Sequence, residues 1–187
     1  MKKIIPLLLC SYLISTNIQA QETNTSTSPN LGPPIVVIGE YMPDTLLQDT
    51  LKQFHTISEY LGKYLLINFW AGDCGPCVRS IPELKETYEN NSDKFTIVSI
   101  NLDTYRYSFR KGTEVKKFTW PSLWDGGEGF DSGKRFQGFA KRYNVTGIPA
   151  YVWISPEGIV LKQWSGYGKG SLERELGQLL KNIDIKK

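Results

Sequence analysis

The chain has 187 residues, 22 Lys and Arg against 19 Asp and Glu, and three cysteines. A net charge of +3 is too small for a nucleic-acid partner gripped by a basic surface, and three cysteines are too few for a small fold built from disulfides. The length suits one domain with its own core behind a short processed N-terminus.

"MKK" opens the chain, an apolar run "IIPLLLCSYLI" follows, and "STNIQAQE" turns polar around a small residue. This predicts a signal peptide over 1–20, cut after Ala20, and hence an exported, periplasmic mature protein. The alternative, an uncleaved anchor, is disfavoured because the apolar run is shorter than the ~20 residues that span a bilayer. Bulky Leu9 before Cys10 does not fit a lipidation site, so Cys10 leaves with the signal. Lys2 and Lys3 leave too, so 20 basic residues remain against 19 acidic, a balance of +1. "QETNTSTSPN" is polar and aperiodic, which predicts a disordered leader over 21–34 before a domain at 35–187. The chain shows no internal repeat.

Thr56-Ile57-Ser58-Glu59 fits a capping box for a single helical turn closed by Gly62. "YLLINFW" at 64–70 is a nearly continuous apolar run, as in a strand covered on both faces. Cys77, Ile81, Leu84 and Tyr88 then recur on one helical face, with Pro82 expected to kink it. "FTIVSINLD" at 95–103 is a second strand, which makes a βαβ unit with parallel strands. A helix at about 109–118 and a short strand in "WPSLWD" follow. Asp131 or Ser132 is expected to cap a helix whose Phe136, Phe139, Ala140 and Tyr143 share a face. "AYVWI" and "IVLKQW" flank the hairpin signal Ser155-Pro156-Glu157-Gly158. A last helix aligns Leu172, Leu176, Leu179, Leu180 and Ile183. The order β-α-β-α-β-α-β-β-α predicts an α/β sandwich around a mixed sheet.

The two cysteines left in the mature chain stand as Cys74-Gly75-Pro76-Cys77. A structural disulfide gains little by closing so short a loop, roughly 2 kcal/mol. Zinc needs about four ligands, and the mature chain adds only His55 to the two thiols. A cysteine protease would need that same His55 as base, and it reads instead as a surface residue beside a helix cap. Thiol–disulfide exchange fits the position. Cys74 follows a buried strand and opens a helix, where unpaired N–H groups and the dipole favour the attacking thiolate. Cys77, one turn on and facing inward, can resolve the intermediate, and Pro76 in the first turn sacrifices no helix hydrogen bond. Asp73, next to the nucleophile, either opposes the dipole or caps the helix. The glycines of "WDGGEGFDSGKRF" at 124–136 do not make a phosphate loop and read as a mobile loop, and Lys186-Lys187 reads as a solvated tail.

"INFWAGDCGPC" resembles the thioredoxin superfamily's "NFWAxWCGPC". With "GEYMPD…ISEYLGKYLLINFW" upstream and "YNVTGIPAYVWISPEGIV" downstream, residues 39–182 resemble the exported TlpA/ResA-like thioredoxins. The resemblance implies a thioredoxin-like fold, a mixed central sheet sandwiched by helices. It implies catalysis by Cys74 and Cys77, supported by Trp70, Gly75 and Pro76; Asp73 joins these supporting residues on its charge beside the nucleophile, not by resemblance. It further implies a cis Ile148–Pro149 bond against the cysteines, with Ile148 backbone groups pairing with a substrate strand. No metal and no cofactor beyond the Cys74–Cys77 disulfide are expected. The expected role is reduction of disulfides in exported proteins, with recharging by a membrane electron donor; C-G-P-C with Ile148 before the proline suggests a low potential.

Several positions depart from the pattern. Asp73 replaces a bulky residue, and Ser80 stands where many relatives carry an acid three residues after the second cysteine. Asn68 and Ser99 replace a buried acid and lysine together, so no charge is stranded. That leaves no obvious buried base for the Cys77 proton. "GIPAY" departs from the "GxPE" of cytochrome-c maturation thioredoxins. A thiol peroxidase is disfavoured because no P-x-x-x-T-x-x-C precedes the helix. The alternatives from another class are a copper-carrying module of the same fold, which should show C-x-x-x-C plus a downstream histidine and finds neither here, and a redox-inert binding domain.

Overall fold

The computed structural model describes residues 36–126, 136 and 138–185. The expected signal and leader at 1–34, most of the expected mobile loop at 124–136 with Asp131 and Ser132, and Lys186-Lys187 lie outside them. In chain order the elements are β1 (Leu46–Gln48), β2 (Phe54–Thr56), a 3-10 turn (Ile57–Tyr60), β3 (Tyr64–Trp70), α1 (Gly75–Glu89), β4 (Phe95–Asn101) and α2 (Arg106–Lys116). There follow β5 (Ser122–Trp124), α3 (Phe139–Arg142), β6 (Ala150–Ile154), β7 (Val160–Ser165) and α4 (Ser171–Ile185). Among the described residues no helix is long and apolar enough to cross a membrane.

One seven-stranded sheet runs β2-β1-β5-β4-β3-β6-β7. β3, β4 and β5 are parallel and the other neighbours antiparallel, the mixed sheet that the sequence predicts. Parallel strands that step in one direction need right-handed crossovers on the same side. α1 and α2 accordingly meet one face: Leu84 of α1 joins the Leu66–Ile97–Tyr151 cluster, and Thr113 of α2 reaches Ser122 at 3.3 Å. A Cβ on Gly112 would stand 3.2 Å from the Trp70 ring, so a glycine inside α2 permits this close approach. Alternation along β3 sends Leu65, Ile67 and Phe69 to the face of α3, and Leu66, Asn68 and Trp70 to the face of α1 and α4.

The capping box at Thr56 is present, and Gly62 takes a positive φ of 101° after the turn. α1 continues through Pro82. The Ser155–Gly158 hairpin closes with Gly158 N–H donating to Ser155 O at 3.0 Å, and α4 buries Leu172, Leu176, Leu180 and Ile183.

Three features differ from the sequence pattern. The β1–β2 hairpin is additional. Each strand has three residues and leaves Leu46 or Phe54 exposed, and its turn puts Lys52, rather than glycine, at a φ of 69°. The Asp49 carboxylate holds that turn by accepting from Leu51 and Gln53 N–H, both at 2.8 Å. α2 starts three residues earlier than expected and ends at a left-handed Lys117. α3 is a single turn whose first N–H groups, on Phe139 and Ala140, donate to Asp125 at 2.5 and 2.8 Å. Its cap therefore comes from the end of β5. A Cβ on Gly138 would lie 2.3 Å from that carboxylate, so the approach requires glycine there. Phe136, Phe139, Ala140 and Tyr143 do share a cluster.

Candidate active site

Cys74 is itself the N-cap of α1, with extended backbone (φ −85°, ψ 99°), and Pro76 sits in the first turn. The cap is thus one residue beyond Asp73, which lies exposed on the loop. Cys77 N–H donates to Cys74 Sγ at 3.2 Å, so the sulfur does the work of a capping oxygen. The two cysteines are joined in a disulfide with Cα atoms 5.2 Å apart. Cys74 is half-buried, whereas Cys77 is 1% exposed. The asymmetry suits a sulfur that meets a partner and one that stays inside.

Ile148–Pro149 is cis, Pro149 is buried, and Ile148 O lies 3.6 Å from Cys74 Sγ. In the disulfide that sulfur carries no hydrogen, so this is a packing contact; the reduced thiol could donate across it. Trp70 is fully buried and stands edge-on to Phe118, centroids 5.1 Å apart. Gly75 is exposed, and the Arg79 guanidinium comes within 3.2 Å of where its Cβ would be. Arg79, one helical turn on, brings a cation beside Gly75, the residue after Cys74, and sequence reasoning missed it.

Behind Cys77 lies a polar layer. Asn68 and Ser99 are register partners, and Asn68 Nδ2 donates to Ser99 Oγ at 3.1 Å. Trp120 Nε1 donates to the same oxygen at 2.8 Å. Ser80 Oγ donates to Cys77 O at 2.8 Å. Asn68 Oδ1, Trp70 Nε1 and the Tyr151 hydroxyl are buried without a hydrogen-bond partner. Burial pushes the Tyr151 hydroxyl up to about 12. Nearby Ser80 pulls it the other way, and donates its own hydrogen to the Cys77 carbonyl.

Asp103, just past β4, was also missed. Its two oxygens each stand 3.1 Å from Gly72 N, and Asn101 Nδ2 donates to it at 2.8 Å. It clamps the loop carrying Asp73 and Cys74. An acid at the carboxyl end of a buried parallel strand was the available signal. His55 stands on the edge strand β2, four strands or ~19 Å across the sheet from β3. It pairs there with Glu59 at 3.0 Å and Asp49 at 3.6 Å, away from both sulfurs. No cluster of His, Cys, Asp or Glu among the described residues could hold a metal ion.

A dithiol pair at the head of a helix that follows a central strand of a mixed sheet, faced by a cis-proline loop, defines the thioredoxin-like class. The chain belongs to the Redoxin family, whose model matches residues 38–180. It is similar to the thiol-disulfide oxidoreductase ResA of Geobacillus kaustophilus, 27% identical over 92% of this chain and 89% of that one. It is similar also to the thioredoxin-like protein YneN of Bacillus subtilis, 25% identical over 65% and 68%. A solved thiol-disulfide oxidoreductase from Bacteroides fragilis shares the fold, with a TM-score of 0.61 at 23% identity over 75% of this chain and 99% of that one. Within the thioredoxin superfamily the chain is a TlpA/ResA-like thiol-disulfide oxidoreductase.

Proposed function

We propose that the mature protein is an exported reductant working through the Cys74–Cys77 dithiol. The observation that carries this reading is the pairing of a half-buried Cys74 Sγ at the head of α1 with a wholly enclosed Cys77. The Cys74 thiolate attacks one sulfur of a substrate disulfide, forms a mixed disulfide and releases the other sulfur, which takes up a proton. Cys77 then loses its proton and attacks Cys74 Sγ. The substrate leaves with both sulfurs reduced, and Cys74–Cys77 carries the two-electron oxidation away. A membrane electron donor returns the pair to the dithiol.

Ile148 O, 3.6 Å from Cys74 Sγ, is positioned to pair with the substrate backbone, and Pro149 holds it there. Trp70, Gly75 and Pro76 support the first turn, and Asp73 tunes the nucleophile. The signal peptide expected at 1–20 from the amino-acid order supports export, with disulfide-bearing exported proteins as substrates.

The test is insulin reduction with cysteine variants. Cys74→Ser is expected to abolish it, and Cys77→Ser to accumulate mixed disulfides through Cys74. Adducts on Cys77 in the Cys74→Ser protein would reverse the assigned roles. Cleavage after Ala20 is checked by N-terminal sequencing of protein recovered from the periplasm.

A further inference from the structure

α1 and α2 follow the carboxyl ends of β3 and β4, and the loop that enters α1 borders a cleft of about 500 Å³ that runs along α2. One wall is Gly72 and Asp73, the two residues before Cys74; the other is α2 and the loop that enters it. Asp103 lies at the floor, 5% exposed and bonded to Gly72 and Asn101. α2 turns Phe109, Gly112 and Thr113 inward, against Trp124, Trp70 and Ser122. That leaves three large apolar side chains on the cleft with most of their surface in water: Tyr105 at 67%, Tyr107 at 71% and Val115 at 61%. Exposed aromatics gathered at a concave site are the composition of an interface core rather than of an ordinary helix surface.

The charges around them are divided. Lys111 and Lys116 belong to the α2 side, with Lys111 Nζ 5.8 Å from the Tyr107 ring centroid, and Asp73 stands on the cysteine side. Within the cleft, a carboxylate on an incoming chain is therefore favoured along α2 and disfavoured beside Asp73; the Arg79 cation lies outside the cleft lining.

We infer that this cleft selects the substrate: it receives an aromatic or aliphatic side chain from the extended segment flanking the target cysteine, with a neighbouring carboxylate of that segment on Lys111. The occupant follows from continuity with the cysteine pair, because a protein whose disulfide reaches Cys74 must lay its flanking residues across Asp73. The inference rests on the proposed redox role and adds the kind of sequence that the site prefers.

The test uses short peptides closed by one disulfide and differing only in the flank: Phe-Glu, Phe-Lys or Ala-Ala. The wild-type protein is expected to reduce the Phe-Glu peptide with kcat/KM about tenfold above Ala-Ala, the difference lying in KM. A Tyr105→Ala/Tyr107→Ala variant, altered only at exposed positions, should bring that ratio within about twofold. Lys111→Glu should abolish the preference for Phe-Glu over Phe-Lys. Hydroxyethyl disulfide, too small to reach the cleft, should be reduced at the same rate by all three proteins. The same peptides with serine for cysteine are ranked for binding by fluorescence anisotropy, independently of any redox step.

Serine peptides that bind alike, or a ranking that survives Tyr105→Ala/Tyr107→Ala, would overturn the inference. If the ranking holds while hydroxyethyl disulfide is not reduced, the cleft stands and the redox reading falls.

Discussion

On the face that meets α3, β3 contributes Leu65, Ile67 and Phe69, and Phe69 packs against Phe139 and Tyr143 with centroids 6.1 and 5.6 Å apart. Tyr143 there donates its hydroxyl to Pro43 O at 2.8 Å. On the opposite face the same strand contributes Leu66, Asn68 and Trp70, and three buried polar atoms of Asn68, Trp70 and Tyr151 lack a hydrogen-bond partner. Each such group costs about 1–3 kcal/mol relative to a satisfied one. The cysteines belong to that second face. Arg142 Nε of α3 is likewise buried without a partner, so unpaired polarity is not confined to one side; on the second face, however, three such atoms gather on neighbouring strands beside the reactive centre, as local rules are commonly broken at functional sites.

The strongest way to break this contrast is from the stable side. Phe69→Ala should lower unfolding free energy by about 3–5 kcal/mol, through lost burial and the cavity left behind. Urea unfolding measures the loss. Insulin reduction per folded molecule should stay close to wild type; a collapse in that specific activity would show that the two faces are not separable.

The packed face buries ionisable groups too, Tyr143 and Asp125, and burial raises the pKa of both. Burial pushes the Asp125 carboxyl up to about 6, against the Ala140 and Phe139 N–H groups that pull it down. The unfolded chain releases this proton near pH 4, so between the two values the native state holds more protons. Stability contributed by this group therefore falls as pH rises from about 4 to about 7, by on the order of 2–3 kcal/mol. Asp125→Asn keeps an acceptor for the first turn of α3 and should flatten that fall. Parallel profiles of urea midpoint against pH in the two proteins would count against Asp125.

On the reactive face, Asp73→Asn removes a negative charge beside the nucleophile. At ~6 Å and an effective dielectric between 20 and 80, exposure favours the weak end of the interaction. Thiolate absorbance should show the Cys74 thiol becoming more acidic once the neighbouring charge is gone. No change would leave Asp73 without an electrostatic role. The smallest effect is expected at Tyr151, whose hydroxyl lacks a partner: Tyr151→Phe should be neutral or stabilise by up to about 1 kcal/mol in urea unfolding. A clear loss of stability would mean that the hydroxyl is bonded in solution and that the contrast between the faces is smaller.

Patterns that repeat within one element were legible in the amino-acid order: the apolar run of β3, the i, i+4, i+7 face of α1, the β6–β7 turn signal and the leucine stripe of α4. The thiol chemistry was legible for the same reason, because Cys74 and Cys77 are three residues apart and their place at a strand-to-helix junction is local. Resemblance, not pattern, brought in Ile148 and Pro149, which meet Cys74 across 74 residues. Nothing periodic announced the β1–β2 hairpin, whose three-residue strands acquire their direction from pairing with β5. Nor did it announce Asp125 as the cap of α3, Asp103 as the clamp on Gly72 from 31 residues away, or Tyr105 and Tyr107 as the wall of a cleft beside Cys74. Each of these depends on which strand ends the sheet sets next to one another. Side-chain alternation records which face a residue takes, but the neighbour it finds there is chosen by strand order, and that is decided only when the whole sheet closes its core.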